Sequence, residues 1–76
     1  MPKEAATETY PGIARWLEAF GTIEFGYCYE TKSFIRVFDE GGMAWSGRRR
    51  YKSFNAALAD CDASVSRLLR DEYGDA

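Results

Sequence analysis

The spacing of apolar residues along the chain changes twice, from helical to alternating and back to helical. Between Tyr10 and Gly21, apolar residues recur at three- and four-residue steps, which predicts one buried helix face over about residues 11–20. Pro11 suits a first helical turn, where its missing N–H is not needed, and Gly21 is typical of a helix stop. The apolar positions are Ile13, Trp16, Leu17 and Phe20.

Three segments with alternating or β-branched and aromatic residues follow, and they predict strands over residues 22–30, 33–39 and 43–51. Short turns at Thr31-Lys32 and Glu40-Gly41-Gly42 join them, so the strands form an antiparallel meander. A three-residue second turn places one apolar set on a single face, whereas a Gly41-Gly42 turn would pair Phe38 with Trp45. We favour the first register because it leaves the arginines on the wetter face. The apolar set is Ile35, Val37, Met43 and Trp45.

The last segment returns to helical spacing and predicts a helix over about residues 54–73. Ser53 is a favoured N-cap and Gly74 a favoured stop. The predicted fold class is therefore α+β: a three-stranded antiparallel β-meander with two helices packed on one face, in the order α-β-β-β-α. Residues 1–9 are polar and are predicted to be a flexible tail, and residues 10–76 a single domain.

The composition removes most catalytic chemistry. The chain has 76 residues, a net charge of -2 and no histidine, so it lacks the usual general base and the commonest metal ligand. We nominate no catalytic residue, metal ligand or cofactor, and we expect a protein that is not an enzyme.

Cys28 and Cys61 are too few for a disulfide-stabilised secreted domain, and neither belongs to a C-x-x-C motif. The first nine residues are polar, and no apolar run approaches the ~20 residues of a membrane span. We therefore expect a cytoplasmic protein with two free, packed thiols and no membrane contact. No local feature predicts a lowered thiol pKa.

The outer sheet face is the main candidate site. In the favoured register it combines phenylalanines with arginines, and exposed apolar patches usually mark contacts. The residues of this predicted interface are Cys28, Phe34, Arg36, Phe38, Arg48 and Arg50. Two other interpretations stay open: the register differs, or the N-terminal tail covers the face.

The basic run at residues 48–52 gives a second hypothesis. Beside exposed aromatic residues it would resemble a platform on which bases stack while arginines hold phosphate. The residues of this nucleic-acid site are Phe34, Arg36, Arg48, Arg50 and Lys52. The alternative interpretation is an edge strand protected from aggregation by its charge.

Two further groups suggest no site. The acidic residues Asp60, Asp62, Asp71 and Glu72 lack the spacing of a calcium loop and are predicted to be solvated helix surface. Gly41-Gly42 has no following Gly-Lys-Ser/Thr, so it is predicted to be a turn and not a phosphate loop.

Three motifs carry a resemblance over residues 10–73: W-L-x-x-F-G-x-I-E-F-G, S-F-I-R-V-F-D-E-G-G and Y-K-S-F-x-x-A-L. They resemble small uncharacterised bacterial proteins with the order α-β-β-β-α, a domain of unknown function. The resemblance implies a fold and a bacterial source, and no activity.

Two family likenesses concern parts of this pattern. The element order is similar to that of double-stranded-RNA-binding domains, although the lysine-rich start of their second helix is replaced here by Ser53-Phe54-Asn55-Ala56-Ala57. Residues 51–58 resemble HicB-type antitoxin domains, which hold a toxin through protein contacts.

The sequence thus predicts a non-enzymatic interaction module. Its leading function is self-association as a dimer, or binding of a protein partner, through the outer sheet face. Its alternative function is nucleic-acid binding through the basic run and exposed aromatic residues.

Overall fold

The computed structural model describes residues 9–74, and its element order is the predicted α-β-β-β-α. The three strands form an antiparallel sheet in the order β1-β2-β3, so the α+β prediction is confirmed. The predicted tail, residues 1–9, lies outside the described residues except for Thr9. The elements are α1 (Pro11–Ala19), β1 (Thr22–Cys28), β2 (Ser33–Asp39), β3 (Gly42–Ser46) and α2 (Phe54–Asp71).

Local chemistry sets the helix starts as predicted. Pro11 occupies the first turn of α1, and the Ser53 hydroxyl caps α2 by accepting a hydrogen bond from the Ala56 N–H at 3.0 Å. The carboxylate of Asp62 accepts the Ile13 N–H at 3.0 Å, which joins α2 to the start of α1. Asp62 is therefore more than solvated helix surface, because it satisfies an otherwise unpaired donor at a helix start.

The core lies between the two helices and the inner face of the sheet. Both helices contribute to one cluster with β2, whose Ile35 and Val37 are fully buried. Ile23 and Phe25 pair with these two residues across the sheet and extend the inner face to β1. The buried core residues are Ile13, Trp16, Ile35, Val37, Ala57, Leu58, Cys61, Val65 and Leu69.

The first strand ends earlier than predicted because its alternation is broken. The β1–β2 register shifts between Phe25 and Cys28, and Gly26 in this bulge has φ +114°, a conformation that favours glycine. The chain then turns, and the Lys32 N–H donates to the Cys28 carbonyl at 2.7 Å. Residues 29–30, predicted as strand, are consequently part of this turn.

The second hairpin satisfies neither predicted register completely. Asp39 pairs with Gly42, so the turn is Glu40-Gly41. Phe38 then pairs with Met43, while Val37 pairs with Trp45, because the register shifts by one residue between these pairs. The predicted placement of Trp45 on the same face as Val37 is confirmed, because the two residues pair, and the placement of Met43 on that face is wrong: Met43 pairs with Phe38 and is exposed.

The third strand is much shorter than the predicted 43–51. β3 ends at Ser46, so Arg48 and Arg50 lie in a connecting segment and not on a strand. The Tyr51 hydroxyl accepts the Arg48 N–H at 2.9 Å and donates to the Asp60 carboxylate at 2.6 Å. The Arg48 carbonyl still accepts the Phe34 N–H of β2 at 2.9 Å, so the chain leaves the sheet only after Arg48, and the Tyr51–Asp60 bond ties the following residues to α2.

Gly21 joins α1 to β1 at a point where a side chain does not fit. A β-carbon there would lie 1.8 Å from the Phe38 carbonyl oxygen, which itself accepts the Trp16 indole N–H at 3.1 Å. We expect Gly21→Ala to lower the free energy of unfolding by about 2–3 kcal/mol, since the backbone must shift to relieve the overlap. Urea denaturation measures the change.

Gly41→Ala is the matched control, because a β-carbon at Gly41 meets only the Asp39 carboxylate at 3.4 Å. We expect it to change stability by no more than about 0.5 kcal/mol. Equal stability of the two variants would show that the connection between α1 and β1 does not approach the Phe38 carbonyl as closely as described.

Candidate binding groove

Arg36, the central residue of the predicted outer-face interface, is not available to a partner. Arg36 is 7% exposed, and its guanidinium donates to the Ser33 carbonyl at 2.8 Å and to the Glu24 carboxylate at 3.1 Å. A buried guanidinium satisfied in this way is not free to orient a partner or hold a phosphate. Its inclusion in both predicted sites is therefore corrected: Arg36 ties β2 to β1.

The other predicted residues do not share one surface. Phe34 lies against Tyr51 and Phe54, with ring centroids 6.3 Å apart in both pairs, and is half-buried. Phe38 is half-buried beside Met43 on the sheet, and Cys28 lies at the β1–β2 turn. The structure brings Phe34 together with the segment that contains Arg48 and Arg50, but separates it from Phe38.

A cavity lies where the β1–β2 turn, the segment after β3 and the start of α2 meet. Its volume is about 610 Å³, within the range of small-ligand sites. We call it the aromatic groove, and its lining residues are Tyr27, Tyr29, Phe34, Arg49, Arg50, Tyr51, Ser53 and Phe54.

The rings of the aromatic groove contact one another mainly edge to face. Tyr27 and Tyr29 have centroids 5.1 Å apart, and Phe54 packs against Phe25 at 5.4 Å as well as against Phe34. Tyr29 is 86% exposed and Phe54 is 53% exposed. Edge contacts of this kind leave ring faces open, and a cluster of exposed rings often marks an interaction site.

The cations beside these rings have no acidic partners. Arg48, Arg49, Arg50 and Lys52 are all exposed, and within residues 9–74 none of them forms a salt bridge. By contrast, Arg36 pairs with Glu24 and Arg70 with Asp71. The local charge of this end of the molecule is thus positive although the whole chain is acidic.

A second cavity of about 400 Å³ adjoins the first. We call it the cationic groove, and its lining residues are Arg48, Arg50, Tyr51, Lys52, Ala56 and Asp60. Tyr51 lies between the two cavities, and burial together with its hydrogen bond to Asp60 raises the pKa of its hydroxyl. Tyr51 therefore stays neutral, and Asp60 is its acceptor as well as part of the surface of α2.

The two thiols are free and have opposite chemistry. The Thr31 backbone N–H, the Thr31 hydroxyl and the Glu30 N–H lower the pKa of Cys28, so the expectation of an unperturbed thiol is corrected. Burial raises the pKa of Cys61 to about 12, which fits its predicted place in the core. Within residues 9–74, no three His, Cys, Asp or Glu side chains gather as metal ligands.

Sequence reasoning missed Tyr27, Tyr29, Arg49, Tyr51 and Phe54 as site residues. Tyr27 and Tyr29 continue the alternation of Ile23 and Phe25, and this alternation predicts the inner face of the sheet for all four side chains. The one available signal was Gly26, since an isolated glycine in a strand pattern favours a bulge. That bulge and the following turn bring both tyrosines to the groove.

Comparison with protein-family models, curated proteins and solved structures found no match. The suspected membership of a bacterial domain of unknown function therefore stays a prediction. In the part of the chain that the structure describes, neither helix has the length and apolarity to cross a bilayer.

Proposed function

We propose that this protein is a non-enzymatic module that binds single-stranded nucleic acid in the aromatic groove. The observation that carries the proposal is the meeting of four cations, none of which forms a salt bridge within residues 9–74, with exposed aromatic rings at one end of the fold. Grooves for single strands combine these two features: positive charge follows the backbone and rings stack with bases.

The rings of the groove match the bases of a single strand, and its cations match the phosphates. Bases present flat π faces, and stacking on Tyr or Phe contributes about 1–3 kcal/mol per base. Guanidinium groups such as those of Arg49 and Arg50 form two parallel hydrogen bonds with a phosphate. A duplex hides its base faces, so the concave, aromatic lining favours a single strand.

The leading sequence hypothesis, self-association or protein binding through the outer sheet face, stays a prediction with less support. Arg36 is occupied and Phe34 belongs to the aromatic groove, which leaves Phe38 and Met43 as that face's apolar residues. Tyr and Arg are also frequent in protein interfaces. A protein partner is therefore the outcome to be distinguished by experiment.

The test is fluorescence anisotropy with a labelled oligothymidylate of about 12 nucleotides, a length within the range of about 4–16 nucleotides that one small single-strand-binding fold covers. We expect binding at low salt that weakens steeply towards about 200 mM salt. Tyr29→Ala should weaken binding by about 5- to 150-fold through lost stacking. Arg49→Gln should reduce the slope of log affinity against log salt by about 0.7.

Two exposed positions outside the groove provide matched controls. Leu17→Ala removes an exposed apolar side chain, and Arg67→Gln removes an exposed cation. We expect both to bind like the unmodified protein. Absence of binding at low salt, or equal effects of groove and control variants, would reject nucleic acid as the ligand and favour the protein-partner hypothesis.

A further inference from the structure

The aromatic and cationic grooves are adjacent and share two residues. Arg50 and Tyr51 line both cavities, whereas Arg49 lines the aromatic groove alone. Arg48 and Lys52 line only the cationic groove. The cations of residues 48–52 therefore lie on both sides of Tyr51.

The two cavities differ in chemistry. The aromatic groove has five rings and two guanidinium groups. The cationic groove contains three cations and one ring, and the carboxylate of its single acid, Asp60, accepts the Tyr51 hydroxyl. The first cavity is suited to a base, and the second to a phosphate.

Tyr51 is held firmly between them. Its hydroxyl is fixed by the Arg48 N–H at 2.9 Å and by Asp60 at 2.6 Å, and its ring meets Phe34 edge-on. Because both its hydroxyl and its ring are held, the Tyr51 side chain stays in place and separates the two cavities. A ligand that fills both must pass over it.

On the basis of the proposed function, we infer that the bound strand crosses Tyr51. One base stacks in the aromatic groove, and an adjoining phosphodiester lies in the cationic groove between Arg48, Arg50 and Lys52. The ligand is therefore an oligonucleotide with an internal phosphate, and not a nucleoside or a free mononucleotide.

The first test compares thymidine, thymidine monophosphate and oligothymidylates of about two, four and eight nucleotides, with affinities measured by NMR titration or anisotropy. We expect at least a tenfold gain in affinity from thymidine monophosphate to the tetranucleotide. Equal affinity for monophosphate and tetranucleotide would overturn the inference, since one cavity would then hold the whole ligand.

The second test removes the cations of the cationic groove with the double variant Arg48→Gln, Lys52→Gln. We expect the salt slope for the octanucleotide to fall by about 1.4, because each cation removed accounts for about 0.7. The increase of affinity from mononucleotide to tetranucleotide should shrink as well. Thymidine binding should be unchanged, because the aromatic groove stays intact.

The charge-matched control is Arg67→Gln, Arg70→Gln on α2, which should leave the slope unchanged. The exchange Arg48→Lys, Lys52→Arg keeps both charges and should restore the slope. If oligonucleotides bind but the Arg48→Gln, Lys52→Gln variant keeps the full slope, the crossing over Tyr51 is wrong while the proposed function stands. If no oligonucleotide binds, both are wrong.

Discussion

Replacement of Trp16 by alanine should lower the free energy of unfolding by about 3–5 kcal/mol, the usual effect of deleting a buried large aromatic side chain. Trp16 is fully buried, stacks on Phe20 at 5.6 Å, and meets the edge of Tyr73 at 5.6 Å. Its indole N–H also donates to the Phe38 carbonyl at 3.1 Å, which fixes α1 to β2. A domain of this size has only about 4–11 kcal/mol to lose.

Thermal unfolding followed by circular dichroism measures the effect. A loss of this size corresponds to a fall of about 15 °C or more in the midpoint, or to the loss of a cooperative transition. Leu17→Ala, at the next position on the same helix but 53% exposed, should shift the midpoint by no more than a few degrees. Equal shifts for the two variants would contradict the packing of α1 described above.

The second large effect concerns the two thiols. Because burial raises the pKa of Cys61 to about 12 from an ordinary 9.0, its thiolate fraction at pH 8 is about a thousandfold smaller than that of a free cysteine. Hydrogen bonds from Thr31 and Glu30 shift the pKa of Cys28 in the opposite direction. Cys61 is also fully buried whereas Cys28 is half-buried, so Cys28 should react with iodoacetamide at least about a hundredfold faster than Cys61 in the folded protein, even though a thiolate of lower pKa is the weaker nucleophile.

Mass spectrometry of timed reactions with Cys28→Ser and Cys61→Ser distinguishes the two sites. The Cys28 rate should rise about tenfold per pH unit and level off at a lower pH than that of a free cysteine, since its pKa is lowered. In denaturant the two rates should converge. Comparable rates in the folded protein would contradict the burial of Cys61 among the core residues of α2.

The parts of the fold that depend on local pattern were predictable. Alternation in β2 identified Ile35 and Val37 as core, and Ser53 marked the start of α2 because it caps the nearby Ala56 N–H. Both signals operate over a few residues, so no knowledge of distant contacts is required.

The site depended on irregularities that such patterns do not contain. One extra residue near Gly26 and another between Met43 and Trp45 changed which side chains share a face. The Tyr51–Asp60 bond ties the residues that follow Arg48 to α2, so the predicted strand does not continue to residue 51. Phe34 could be nominated from sequence, whereas its neighbours in the aromatic groove follow from these long-range events.

Arg36 is a residue that the sequence pattern wrongly assigned to the site. Its position on the outer face of β2 suggested an accessible cation, but Glu24 on the paired strand and the Ser33 carbonyl bind it. The pairing of β1 with β2 places the Glu24 carboxylate beside the Arg36 guanidinium, and the sequence pattern alone does not give this pairing. Among the described residues, Arg48, Arg49, Arg50 and Lys52 in the segment after β3 form no salt bridge.

The most direct test of the binding site is an amide NMR titration of the ¹⁵N-labelled protein with a short oligothymidylate at low salt. We predict that the largest shift changes fall on Tyr27, Tyr29 and residues 48–54, whose side chains line the two grooves, and that Thr22, Phe38 and Met43 change little. Changes centred on Phe38 and Met43, or none at any amide, would contradict a groove that binds single strands.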